Sequence, residues 1–145
     1  MTSDIYNSCT SLLSFQFGFL SKETTKLFNN KLSEFGITIG QLLVMNQVRV
    51  KGEIAVKDIA QNLRLESPTV TRIIDRLIRD NLLLRKEDEK DRRFQLISLT
   101  DEGKALIEKT IVIPYEYNDY LKDKLGPEKY GQLQAILTEL EMDFL

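Results

Sequence analysis

The sequence predicts a mainly α-helical chain carrying one small antiparallel β wing. Three observations predict it. Apolar residues recur at helical spacing through most of the 145 residues, a single stretch between Leu82 and Leu99 reads as two strands around a polar tip, and Pro and Gly are sparse, at 3 and 7. An apolar stripe at i, i+3, i+4 and i+7 buries one face of a helix, whereas a polar cluster between two β-prone runs reads as a turn.

From Ile5 through Phe35 the chain is rich in Leu and Phe and free of Pro. Phe15, Phe17 and Phe19 alternate in a way that also suits a strand, but the length of the segment argues for helix. Thr38 to Arg49 is a further helix that ends near Gly52. Val56, Ile59, Ala60 and Leu63 mark a short amphipathic helix, and Arg64, Leu65 and Glu66 leave room only for a tight connection. Ser67-Pro68 then reads as a helix start, with the serine hydroxyl as cap and proline at the first helical position. Val70, Ile73, Ile74, Leu77 and Ile78 form the buried stripe of this helix, and burying such side chains contributes roughly 1.5–3 kcal/mol each.

Its other face carries Arg72, Asp75, Arg76 and Arg79, flanked by Thr69 and Thr71. Two short helices joined by a turn, the second polar at its N-terminal end, make a helix-turn-helix. The ribbon follows: Leu82 to Leu84 enters, Glu87 to Arg92 is too polar to bury, and Arg93 to Leu99 returns. Its turn, Lys90-Asp91-Arg92-Arg93, puts two guanidinium groups at or near the tip. An arginine at the end of a thin ribbon is drawn to the negative potential of a DNA minor groove, and a carboxylate such as Asp91 can orient it. Spacing leaves open which of Arg92 and Arg93 enters.

Thr100 caps the next helix, with Asp101 and Glu102 favourable in its first turn. Pro114 should kink or divide that helix. Gly126-Pro127 punctuates again, and Leu133, Ile136, Leu137, Leu140 and Phe144 trace the stripe of a last helix.

On these residues, Ala55 to Leu106 resembles the winged helix-turn-helix of the MarR family of bacterial transcription regulators. The matching segments are VTRIIDRLIRDNLLLR, the DRR of the wing tip and ISLTDEGKAL, and the layout of flanking helices extends the similarity over nearly the whole chain. The resemblance implies one domain over 1–145: a winged helix-turn-helix at 38–103, with N- and C-terminal helical dimerisation arms at 1–35 and 104–145. It implies a homodimer on a pseudo-palindromic double-stranded DNA operator, acting as a repressor released by a small-molecule effector. Carried over by position, Ser67, Thr69, Thr71 and Arg72 face the major groove, Asp91, Arg92 and Arg93 form the wing tip, and Arg76 meets phosphate or a surface partner. One branch of the family senses organic peroxides through a first-helix cysteine. A gapless count from Gly36-Ile37-Thr38 puts Ser14 at that position, so a redox role for Cys9 is an alternative and not the main reading.

Net charge is −2, with 20 basic and 22 acidic residues. The acidic excess is local: residues 64–99 hold 9 basic against 7 acidic side chains, and 100–145 hold 5 against 10. The overall sign therefore does not exclude nucleic acid, although it forecasts weak non-specific binding. With no histidine and one cysteine, imidazole or thiolate metal sites have almost nothing to build from, there is no histidine for general-base work, and Cys9 has no evident activating partner; no cofactor and no enzymatic activity are expected. The apolar stretch Leu12–Leu20 falls short of the roughly 20 residues of a membrane span, so a cytoplasmic protein is the simplest expectation. Phe15, Phe17, Phe19, Phe28, Phe35, Tyr115, Tyr117 and Tyr120 are candidates to line an apolar effector pocket between the arms and the reading part. A winged-helix adaptor that binds protein and not DNA is the rival class, because fold alone does not fix function.

Overall fold

The computed structural model describes residues 9–145. It is mostly helical with one three-stranded antiparallel sheet whose central strand is the last of the three along the chain. Residues 5–8 of the expected first helix lie outside the described residues; α1 runs Leu13–Leu32, and Phe15, Phe17 and Phe19 are helical in it. A 3-10 turn, Ser33–Phe35, ends at Gly36 with φ +71°. α2, Ile39–Lys51, starts with a reciprocal capping box: the Gln41 amide donates to the Thr38 hydroxyl at 3.2 Å, and the Thr38 amide donates to Gln41 Oε1 at 2.9 Å. The Ile39 amide donates to Asn29 Oδ1 of α1 at 2.8 Å, which ties α1 to the start of α2.

Beyond Gly52 lie β1 (Glu53–Ala55), α3 (Val56–Leu63), α4 (Ser67–Arg79), β2 (Leu83–Glu87), β3 (Gln95–Leu99) and α5 (Asp101–Thr110). The ribbon of the sequence is β2 and β3, and β1 adds to it with Ile54 opposite Ile97, both buried. Lys86 of β2 pairs with Glu53 of β1 across β3, and that hydrogen-bonded carboxylate raises the lysine pKa. α2 runs through the middle of the core. Its Leu42, Val44, Met45 and Val48 are fully buried, as are Ile59 of α3, Val70, Ile74 and Leu77 of α4, Ile97 of β3 and Ile107 of α5.

The start of α4 differs from the sequence expectation. Glu66 is the residue before the helix, Ser67 is its first residue and Pro68 its second, and no side-chain cap bond forms. Ser67 is thereby displaced from the capping position, and its hydroxyl is left exposed on the surface. The turn before it closes through Arg64 at φ +57°, with the Leu65 amide donating to the Ala60 carbonyl at 2.9 Å. α4 ends in the same way at Asn81, φ +58°, where the Leu82 amide donates to Leu77 O at 2.9 Å. Asn is one of the few residues that tolerates this left-handed cap.

Thr100 caps α5 as expected. Its hydroxyl accepts from the Gly103 amide at 2.9 Å and donates to the Asn81 carbonyl at 2.7 Å, joining α5 to the end of α4. The chain falls into two compact units, residues 1–110 and 111–145. The second unit holds α6 (Val112–Leu125) and α7 (Pro127–Glu141), which pack on one another around Gly126 at φ +82°. Pro114 divides the helical segment as expected: α5 ends at Thr110 and Pro114 is the third residue of α6, where its missing N–H is one of those without an intrahelical partner. No helix among the described residues is long and apolar enough to cross a membrane.

Candidate nucleic-acid interface

α4 owes its two-sidedness to its sequence. Val70, Ile74 and Leu77 are fully buried and Ile73 and Ile78 half-buried, so the opposite side is fixed in the solvent by the packing beneath it. Arg72 projects from the centre of that side, exposed and without an ion-pair partner among the described residues. Thr69 and Thr71, about 200° apart round the helix, flank it and are half-buried. Ser67 lies one turn before Thr71 on the same flank. Arg76 is engaged with Asp80 one turn on, Nε to Oδ2 3.5 Å.

Asp75 does not belong to the free charged face. It accepts from Arg85 Nη2 of β2 at 2.7 Å, so helix and wing are tied by a charge-assisted bond.

At the wing tip the arrangement separates the two arginines. Asp91 holds Arg93: Oδ1 accepts from Nε at 3.0 Å and from the Arg93 amide at 3.1 Å, and Oδ2 accepts from Nη2 at 2.8 Å. The Arg93 side chain is nevertheless 85% exposed, oriented but not covered. The side-chain hydrogen bond from Arg93, then the backbone one and the nearby Lys57 charge, lower the Asp91 pKa, and the same pairing raises that of Arg93. Arg92 is exposed and has no ion-pair partner among the described residues.

Helix and wing meet in one open crevice of about 350 Å³, whose walls include Ser67 and Thr71 of α4, Arg85 of β2, and Arg93 and Phe94 of the wing. Lys57 of α3 is a further wall, its ammonium 4.3 Å from the Phe94 ring centroid, a cation–π distance. Lys57, Arg85 and Phe94 are the residues that sequence reasoning missed. Their significance comes from pairing between elements, and only the first-turn position of Lys57 in a helix-turn-helix could have drawn attention locally. A second crevice of about 500 Å³ lies between β1, α3 and the wing, and a third of about 540 Å³ between α2, β3 and α5. Phe94 is the only aromatic residue lining any of these three, so the eight aromatics nominated for an effector pocket are not in them; Phe15, Phe17 and Phe19 are about half exposed on α1. Cys9 is exposed and precedes α1, the first helix among the described residues.

A helix-turn-helix whose second helix shares a face with an arginine-tipped β ribbon defines the winged-helix class. Residues 37–94 match the model of the MarR family. An uncharacterized HTH-type transcriptional regulator of Bacillus subtilis, YhbI, is 35% identical over 119 residues, covering 82% of this chain and 77% of that protein. The organic hydroperoxide resistance transcriptional regulator of the same organism is 36% identical over 94 residues, 65% of this chain and 64% of that protein. Among solved structures, the S. aureus MepR–DNA complex superposes with a TM-score of 0.87 at 29% identity, covering 92% of this chain and 99% of MepR. The chain belongs to the MarR family of transcription regulators.

Proposed function

We propose that the protein is a sequence-specific reader of double-stranded DNA that acts as a homodimeric transcriptional repressor. Ser67, Thr69, Thr71 and Arg72 present α4 to the major groove, and Arg93, held by Asp91, enters the adjacent minor groove. Arg92 meets the phosphate backbone, and Arg76 is a lesser phosphate contact that must first give up Asp80. The observation that carries this is the shared crevice: Ser67 and Thr71 of the helix and Arg93 of the wing open on one side of the protein. The guanidinium at that opening is both oriented and exposed, as minor-groove entry requires. The likeness to MepR, solved on DNA, supports the same reading.

The test is selection of duplexes from a randomised library at stated salt, followed by fluorescence anisotropy on the selected site. The expected product is an inverted repeat with half-sites about one turn, roughly 34 Å, apart. Arg93→Ala then weakens binding at least about tenfold and relaxes preference at the minor-groove positions. Arg92→Ala weakens all duplexes alike and lowers the salt dependence. No enrichment above non-specific binding overturns the proposal in favour of a protein-binding adaptor, and an Arg93→Ala protein that binds the selected duplex as tightly overturns the minor-groove role of the wing.

A further inference from the structure

The wing is a cantilever. It leaves α4 at the Asn81–Leu82 turn, and its tip is about a dozen residues further along the chain, so a small change of angle at the root moves Arg93 by several ångströms. Two side-chain contacts bear on that angle. Arg85 sits in β2 opposite Ile97, which is fully buried in the core, so its strand position is fixed. Its guanidinium reaches across to Asp75 of α4 at 2.7 Å, and the pair is only part-exposed, 29% for Arg85 and 47% for Asp75. Lys57 of α3, over the Phe94 ring, holds the returning strand near the tip.

We infer that Asp75 and Arg85 form a positioning pair that sets the angle between the reading helix and the wing, so that α4 and Arg93 reach their two grooves at the same time. This inference rests on the DNA reading above and names residues that act through Arg93, without a base contact of their own. Asp75 lies one turn beyond Thr71 on the same flank and Arg85 lines the crevice with Ser67, Thr71 and Arg93, so the pair spans the gap between the two contacting elements. A carboxylate so close to a phosphate-binding face is costly unless it has a task, since by charge alone it repels the ligand.

That cost gives the test its sign. If Asp75 were a bystander, Asp75→Asn would remove a repulsive charge and strengthen binding. A positioning role predicts the opposite: binding to the duplex selected by the wild-type protein weakens about fivefold. Arg85→Gln weakens it by a similar factor, the double variant is no worse than either single one, and the charge-swapped Asp75→Arg/Arg85→Asp protein recovers affinity. Arg93→Ala also costs less in the Asp75→Asn background than in the wild type, because a wing at the wrong angle no longer delivers it. Thermal melts confirm that each variant is folded at the assay temperature. Asp75→Asn binding as tightly or more tightly, or strict additivity of Asp75→Asn with Arg85→Gln or Arg93→Ala, overturns the inference. If Arg93→Ala alone loses nothing on that duplex, it is the DNA reading of the wing that fails.

Discussion

Arg93 and its neighbour show how one carboxylate decides what an exposed arginine can do. A free guanidinium on a loop samples many rotamers, and ordering it on DNA costs side-chain entropy. Asp91 removes part of that cost beforehand by accepting from both Nε and Nη2 of Arg93. The pairing lowers the Asp91 pKa, so the folded value lies below the unfolded one. A depressed carboxylate of this kind contributes above its unfolded pKa, about 3.9, and loses the contribution as pH falls through the lower folded value. The tether is therefore intact throughout the physiological range, and the chain has no histidine to titrate there. Duplex affinity measured by anisotropy at constant ionic strength should vary less than about twofold between pH 6 and 8. A steep change in that window would mean that the orienting group is not Asp91.

At the scale of elements, the contact that joins α5 to the end of α4 leaves no room for a side chain. A Cβ on Gly103 would lie 2.1 Å from the Leu82 carbonyl oxygen and 3.0 Å from Leu99 Cδ2. The Leu82 carbonyl cannot simply retreat, because it accepts from the Thr100 amide at 3.1 Å while the Thr100 hydroxyl bonds Asn81 and Gly103. Gly103→Ala should destabilise the protein by about 2 kcal/mol or more and lower Tm by roughly 5–10 °C, as read by far-UV circular dichroism; an unchanged Tm would show that α5 can slide away freely. The DEG sequence stood out in the chain, but this reason for its glycine could not be read there. What was legible shares that boundary. The α4 stripe and the Thr100 cap are local patterns, and they occur where periodicity and side-chain chemistry put them. β1 is three residues long and is a strand only because Ile54 finds Ile97, more than 40 positions away. The Ser67 cap failed because serine followed by proline suits both the cap and the first turn, and the start is set by the Arg64 turn before it. In the site, the charges on α4 were legible as a set. Division into an engaged Asp75, an engaged Arg76 and an Arg72 with no ion-pair partner among the described residues was not, because it depends on β2 register and on rotamers.

For the whole molecule the outstanding fact is apolar surface. α7 has no buried residue, and its Leu133, Ile136, Leu137 and Leu140 are 40–54% exposed, with Phe144 beyond it at 90%. These positions follow a spacing of three and four, so they form one continuous stripe and not scattered exposures. Monomeric soluble proteins rarely leave a stripe of this size to solvent, and a second copy would cover it by symmetry with the same residues on both sides. The reading function needs the same pairing, because one helix and one wing offer limited contact area whereas a twofold pair presents two readers to an inverted repeat. Linking two weak half-site contacts through one interface raises affinity by about 10²–10⁴ without any new contact to DNA. Leu137→Glu places a charge in the middle of the stripe and costs the isolated chain little, because the side chain is already 40% exposed there. The variant should keep its helical circular dichroism, run as a monomer in gel filtration with light scattering at micromolar concentration where the wild type runs as a dimer, and bind the full inverted repeat no better than a half-site. A wild-type protein that is monomeric at that concentration, or a Leu137→Glu protein that stays dimeric with full affinity, would place the interface elsewhere and leave the α7 stripe without this role.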